Sequence, residues 1–223
     1  MLTIALDGPS GAGKSTVAKS IAKSLGIMYL DTGAMYRATA VHVIANGGDV
    51  NNFSTIEPLL KTLNINMLYT DGGLKVMLGS TDVSDKIREH HISKAASDVS
   101  KHPAVRIALV EQQRKIASEQ DCILDGRDIG SYVLPNANFK FYLTATSKER
   151  ATRRYNELKE KGTLGKSTLE EIQKDIEERD YQDMNRDFAP LVQTKDAHLI
   201  DSTNMSIEQV VSAVSDIISQ KKN

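Results

Sequence analysis

The chain has 223 residues, 40% hydrophobic and 26% charged, with a net charge of −1: enough to bury one full core, and too evenly charged to present an overall field to nucleic acid or an anionic membrane. Any anion must therefore be held by local clusters. The single cysteine, Cys122, rules out an internal disulfide and reads as a small buried hydrophobe in the run CILD, and no stretch approaches the roughly 18 apolar residues that span a bilayer.

The first apolar run, residues 2–6, reads as a buried strand and is followed at 8–16 by GPSGAGKST. Helical spacing then covers 17–25, with Gly26 as its stop, and a second strand run lies at 27–30 before helical spacing across 34–44. The stretch from 65 to 78 breaks this rhythm. Ile65, Met67 and Tyr69 alternate, Asp71-Gly72-Gly73 follow, and Leu74, Val76 and Leu78 alternate again, which predicts a β-hairpin rather than a crossover. It predicts an inserted subdomain over roughly 60–100. His90 and His91 fall on a partly exposed helix, and the five histidines have no metal-ligand spacing.

Beyond the insert, helical spacing at 105–117 leads to strand runs at 122–124 and 139–143, helical spacing at 150–158, a strand run at 198–200 and a final helix at 207–218. TSKE at 146–149 and STLE at 167–170 match the capping box that starts a helix. Between them EKGTLGKST is polar and glycine-containing, as suits either a mobile lid or a plain surface loop. Strand alternating with helix predicts an α/β fold: a parallel sheet of about five strands flanked by helices. The core is expected over roughly 1–59, 101–157 and 169–223, with the insert at 60–100 and a short lid at 158–168. The opening of the chain on a strand, with no charged leader, is the pattern of a cytoplasmic protein.

Residues Gly8 to Ser15 satisfy G-x-x-x-x-G-K-[ST], with a strand before and an amphipathic helix after. Such a loop turns backbone N–H groups and a helix N-terminus onto phosphate oxygens. Lys14 is placed to reach the β- and γ-phosphates and Ser15 to ligate Mg²⁺. Asp125, ending its strand, is the candidate second Mg²⁺ residue, directly or through water. The dinucleotide fingerprint is excluded, because Lys14-Ser15-Thr16 stand where it needs glycine. A GTP switch would carry N-K-x-D and D-x-x-G, and neither occurs. The arginines instead favour transfer in cis: Arg37, Arg106, Arg127, Arg179, Arg186, and a helical group in which Arg150 shares a face with both Arg153 and Arg154. Several stand at strand ends or beside glycine, where open α/β sheets place ligands, and a guanidinium fork suits phosphate. Phosphoryl transfer to a phosphate also needs no catalytic base, since the acceptor oxygen is already largely ionised at pH 7, with a second pKa of about 6.

Taken together, GPSGAGKST, YLDTGAMYR, SDVSKHPAVR, LDGRDIG, ERATRRYNELKEKG and ERDYQDMNRDFAPL resemble the bacterial cytidylate kinases, in the family's order and over essentially the whole chain. The resemblance implies that ATP is held by Gly8, Pro9, Ser10, Gly11, Ala12, Gly13, Lys14, Ser15 and Thr16, with Mg²⁺ as cofactor. It implies CMP or dCMP as acceptor, bound by Thr32, Arg37, Ser97, Arg106, Arg127, Asp128, Arg179, Asp183 and Arg186. Thr32 stands where many relatives have serine and keeps the hydroxyl. Ser97, Arg106 and Asp128 would read the cytosine edge: a carboxylate accepts from N4, and a guanidinium donates to N3 and O2. The alternative for Asp128 is a helix cap or a partner of Arg127. Lys14, Arg127, Arg150, Arg153 and Arg154 are the implied catalytic set, the last three on the helix entering the lid. A kinase for another small acceptor such as UMP is the nearest alternative. Neither nucleic acid nor a membrane is expected as partner, and a monomer is the simplest expectation.

Overall fold

The computed structural model describes residues 1–70 and 73–220. In chain order the elements are β1 (Thr3–Asp7), α1 (Lys14–Leu25), β2 (Met28–Asp31), α2 (Thr32–Ala45), α3 (Phe53–Leu60), β3 (Ile65–Thr70), β4 (Gly73–Leu78), β5 (Thr81–Asp82), a 3₁₀ turn (Lys86–Arg88), α4 (His90–Val99), α5 (Pro103–Glu119), β6 (Cys122–Gly126), a π turn (Ile129–Val133), β7 (Phe139–Thr144), α6 (Ser147–Glu160), α7 (Leu169–Asn185), β8 (His198–Asp201) and α8 (Ile207–Gln220). All five expected strand runs are strands. They form one sheet in the order β2-β6-β1-β7-β8, and β3, β4 and β5 form a separate sheet. Tertiary contacts divide the chain into two units: Met1–Leu30 with Ala117–Asn223, and Asp31–Ile116.

In the first unit β1 is central and buried, as its uninterrupted apolar run requires. It runs parallel to β6, Thr3 opposite Cys122 through Asp7 opposite Gly126, and parallel to β7 on its other side, Ile4 opposite Phe139. β7 in turn runs parallel to β8. One face of the sheet carries Ile4, Leu6, Ile123, Phe141 and Leu143 against Val17 and Ile21 of α1 and Val210, Val214 and Ile218 of α8. Each such side chain contributes about 1.5–3 kcal/mol by leaving water. Strand order reverses at β1, and the loop leaving its carboxyl end is GPSGAGK, where open α/β sheets bind ligands. Cys122 is buried, and burial pushes its thiol up to about 11, so it stays protonated.

α6 and α7 pack on one another through Ala151, Leu158, Ile172 and Ile176. Thr146 caps α6 by accepting from the N–H of Glu149. The box that starts α7 sits one residue later than expected: Thr168 accepts from Glu171 N, and Glu171 Oε2 accepts from Thr168 N at 2.8 Å. The run S-T-L-E-E holds two overlapping boxes, and the one in use places Ile172, Ile176, Asp180 and Asp183 on the buried face.

The second unit contains α2, α3, the small antiparallel sheet, α4 and most of α5. Ile65 pairs with Leu78 and Tyr69 with Leu74, the register of the expected hairpin; Asp71 and Gly72 of its turn lie outside the described residues. α2 packs on α4, and Ile56, Val76, Ile87, Ile92 and Val99 are buried. α3 has no helical period in the sequence, whereas α4 is the helix expected at His90 and His91. α4 starts at His90, and His91 on it is exposed.

Candidate active site

The phosphate loop occupies the short gap between β1 and α1. Gly8 has φ +147°, and a Cβ there would run into the carbonyl oxygen of Leu143 on the neighbouring β7, so only glycine lets the chain turn beside that strand. Gly13 caps α1 and has no side chain to take the first-turn N–H groups, which leaves those donors for an anion. Lys14 is buried, with its ammonium donating to Pro9 O at 2.7 Å inside the curl of the loop. Burial, helped by the nearby Arg127 charge, holds its pKa well below the usual lysine range.

Beside the loop lies Asp125, buried on β6. Ser15 Oγ donates to its Oδ2 at 2.8 Å, and the Tyr29 hydroxyl donates to Oδ1 at 2.9 Å. A hydroxyl and a carboxylate side by side form the hard, all-oxygen donor set that suits Mg²⁺, which keeps several waters and needs few protein ligands. The two expected metal residues are therefore adjacent and fit the ion. Tyr29, which orients Asp125, was not anticipated.

Along β6 and the turn after it the structure brings together Arg127, Asp128, Asp183 and Arg186. Arg127 Nε donates to Asp183 Oδ2 at 2.8 Å, and its Nη1 donates to Gly126 O at 3.2 Å. Arg186 lies 3.3 Å from Asp183 Oδ1 and 3.5 Å from Asp128 Oδ1. Burial pushes the Asp183 carboxyl up, but the Arg127, Arg179 and Arg186 charges outweigh it and hold the group below the usual carboxylate range. Burial works against the Arg127 cation, and Asp183 overcompensates, raising its pKa. The result is a set of fixed guanidinium groups whose orientation is set by carboxylates. Arg186 Nε also donates to Ala189 O at 2.7 Å, and Ala189 has φ +49°, a left-handed conformation rare outside glycine.

Asp7, another unanticipated residue, ends β1 with both oxygens engaged by successive amides: Ile129 N at 2.8 Å and Gly130 N at 2.7 Å. It fastens the π turn that directly follows Arg127 and Asp128. A charged residue closing an apolar strand run was the only sequence signal for it.

The three arginines of α6 are placed differently from one another. Arg150 is buried: its Nε donates to Ala145 O at 2.8 Å, and its Nη1 donates to Ser10 O at 2.8 Å and pairs with Asp180 Oδ2 at 2.5 Å. Arg153 pairs with Glu149 and donates to Ser202 O, and Arg154 pairs with Glu157, both in partly exposed positions.

In the second unit Asp31 caps α2, accepting from Ala34 N at 2.8 Å, while its other oxygen pairs with Arg37 at 3.1 Å. Gly33 permits this: a Cβ there would press within 3.2 Å of both the Arg37 guanidinium and the Asp31 carboxylate. Thr32 is buried at the start of α2. Arg106, 1% exposed, has its guanidinium 5.3 Å from the Tyr36 ring centre and reaches Ser100 O at 3.4 Å. Ser97 is half-buried on α4.

A family model described as cytidylate kinase matches residues 4–220. The chain belongs to the cytidylate kinase family. Among relatives called cytidylate kinase, the one from Alkaliphilus oremlandii is 49% identical and the one from Clostridioides difficile 48% identical, each alignment covering 96% of this chain and 96% of the relative. A third, from Halalkalibacterium halodurans, is 46% identical over 96% of this chain and 95% of its own. Two solved structures share the fold alone: an uncharacterized protein from Eubacterium ventriosum (TM-score 0.54, 11% identity, 98% of this chain and 99% of that one) and shikimate kinase from Bacteroides thetaiotaomicron (TM-score 0.51, 12% identity, 98% of each). The cytidylate kinase match takes in both contact units, the phosphate loop and every candidate arginine.

Proposed function

We infer that this chain transfers the γ-phosphate of ATP to CMP or dCMP, giving CDP or dCDP and ADP. Membership of the cytidylate kinase family over residues 4–220 carries the acceptor, and the Lys14–Ser15 loop beside Asp125 supports ATP as donor.

An oxygen of the CMP phosphate attacks the γ-phosphorus, and the bond to the β,γ-bridging oxygen breaks as ADP leaves. The attacking oxygen is already ionised, so the protein must position and neutralise rather than deprotonate. The glycine-rich loop takes the ATP phosphates on its free N–H groups. Lys14 exchanges Pro9 O for phosphate oxygens, whose negative charge favours its ammonium form. Ser15 and Asp125 would hold Mg²⁺, which would supply positive charge to offset the negative charge building on the leaving group. Thr32, Arg37, Arg127, Arg179, Asp183 and Arg186 bind the acceptor phosphate and ribose, and Ser97, Arg106 and Asp128 read the base. Uracil offers O4 and N3–H where cytosine offers an N4 amine and N3, so the same groups would face it mismatched. Arg153 and Arg154 lead into the segment at 158–168, the end of α6 and the loop after it, which we assign as the lid, with 60–100 as the acceptor-side insert; covering the nucleotides would keep water from the γ-phosphate. The near-neutral chain, which supplies all these arginines itself, supports a monomer, and the substrates suit the cytoplasm.

Coupled ADP release with ATP against CMP, dCMP, UMP, AMP and GMP tests the reading. CMP and dCMP should dominate. Turnover of UMP or AMP without CMP would sink the cytosine assignment, and no acceptor-dependent release would sink the kinase.

A further inference from the structure

We propose that Arg150 and Asp180 form a clamp on the backbone of Ser10 that holds the phosphate loop in the shape that receives ATP. The inference rests on reading that loop as the ATP site. Both backbone polar groups of this one residue are gripped. Ser10 N–H donates to Asp180 Oδ1 at 3.0 Å, and Ser10 C=O accepts from Arg150 Nη1 at 2.8 Å. The two gripping side chains are paired with each other at 2.5 Å, and each is 6% exposed. Arg150 is fixed in turn through Nε to Ala145 O at 2.8 Å, and Cβ of Arg150 lies 3.2 Å from where a Cβ on Gly11 would sit.

A phosphate loop poses a physical problem that this arrangement solves. Its N–H groups must stay open for phosphate, so they cannot be spent on a ladder that would hold its shape. Fixing one residue near the start of the loop from both sides stiffens it while leaving the later N–H groups for the ligand. A lone carboxylate there would repel a triphosphate, and the Arg150 charge cancels it. A planar guanidinium is also needed: it serves three acceptors at fixed angles, which an ammonium cannot. One turn further along α7, Asp183 orients Arg127 and Arg186, so the helix that grips the donor loop also aims two of the acceptor-side arginines. On this assignment Arg150 and Asp180 are positioning residues that touch no nucleotide.

Calorimetric titration with MgATP alone and with CMP alone, alongside steady-state KM values, tests the clamp in Asp180→Asn and Arg150→Lys, with Lys14→Met in parallel. Both clamp variants should raise the Kd and KM for ATP about fivefold or more and leave those for CMP within about twofold. A folded clamp variant with unchanged ATP affinity overturns the proposal, even if its Tm has dropped, because that marks a merely structural pair. An equal rise for ATP and CMP overturns it as general loosening. Should Asp180→Asn fail to fold, Arg150→Lys, which keeps the charge facing Asp180, decides the matter. If Lys14→Met keeps full ATP affinity, the loop is not the ATP site and the clamp falls with that reading; if Lys14→Met loses ATP while the clamp variants do not, the clamp alone fails.

Discussion

Ser15 Oγ and Asp125 Oδ2 lie 2.8 Å apart, with the Tyr29 hydroxyl fixing the other Asp125 oxygen at 2.9 Å. Partners behind a metal ligand set its angle, and losing one typically costs about 10–100-fold in metal affinity or activity. Tyr29→Phe keeps the ring and removes only the donor. It should raise the Mg²⁺ concentration for half-maximal rate by about tenfold, while saturating Mg²⁺ restores most of the rate. Asp125→Asn should lose about 100-fold in rate without such rescue. Mg²⁺ titrations of initial rate check both, and a Tyr29→Phe curve lying on the parent's would remove Tyr29 from the site.

Asp183 stands between Arg127 and Arg186 and is the carboxylate closest to both. Replacing it with asparagine leaves two half-buried cations short of their counter-charge, a loss bounded above by the about 3–5 kcal/mol that breaking a fully buried pair costs. The folded carboxyl titrates below its usual range, so its contribution is present above the unfolded pKa of about 4 and lost as pH falls through the folded value. Urea unfolding should therefore show Asp183→Asn destabilised at pH 7, the gap narrowing only below about pH 4. A gap that closes already between pH 7 and 5 would assign the effect to other groups.

How far these residues were legible in the sequence depended on the range of their contacts. The phosphate loop was legible because its chemistry is local: glycine, lysine and serine at fixed spacing between a strand and a helix. Asp125 was legible as the charged end of an apolar strand. Arg150, by contrast, shares helical spacing with Arg153 and Arg154, yet its partners are Ser10, 140 residues away, and Asp180, 30 residues away. No periodicity carries that information. The same holds for Asp180 and Ser10, separated by 170 residues, and for Asp7 and the amides of Ile129 and Gly130. The start of α7 shows a different limit: two overlapping capping boxes fit the letters, and only packing against α6 chooses between them.

Asp128 is buried and lies 3.5 Å from Arg186 Nη2. If its carboxylate accepts from the cytosine N4 amine, Asp128→Asn offers an amide that can turn a donor toward uracil O4. A single such base-edge contact is worth about 1–3 kcal/mol of discrimination. The ratio of kcat/KM for CMP over UMP should fall about 10- to 100-fold, with the KM for ATP changing far less. An unchanged ratio would remove Asp128 from the residues that read the base.

The carboxylate of Asp7 gives a pH signature that does not depend on substrate. It is buried, and burial raises its pKa to about 6, the bonds from Gly130 and Ile129 offsetting only part of that cost. Because the folded pKa lies above the unfolded one, the folded protein keeps a proton that the unfolded chain releases. The stabilisation is fully present below about pH 4 and is lost as pH rises through 6. A shift of about two units corresponds to about 3 kcal/mol, of which about 2 kcal/mol falls between pH 4.5 and 7.5. Asp7→Asn cannot titrate, and its amide, facing one of the two N–H groups, adds an offset that does not vary with pH. Across that interval the stability of the variant relative to the parent should therefore improve by about 2 kcal/mol in urea unfolding, whatever the offset. A difference that stays constant from pH 4.5 to 7.5 would mean that Asp7 is already ionised at the lower value, held down by the Ile129 and Gly130 amides more strongly than burial pushes it up.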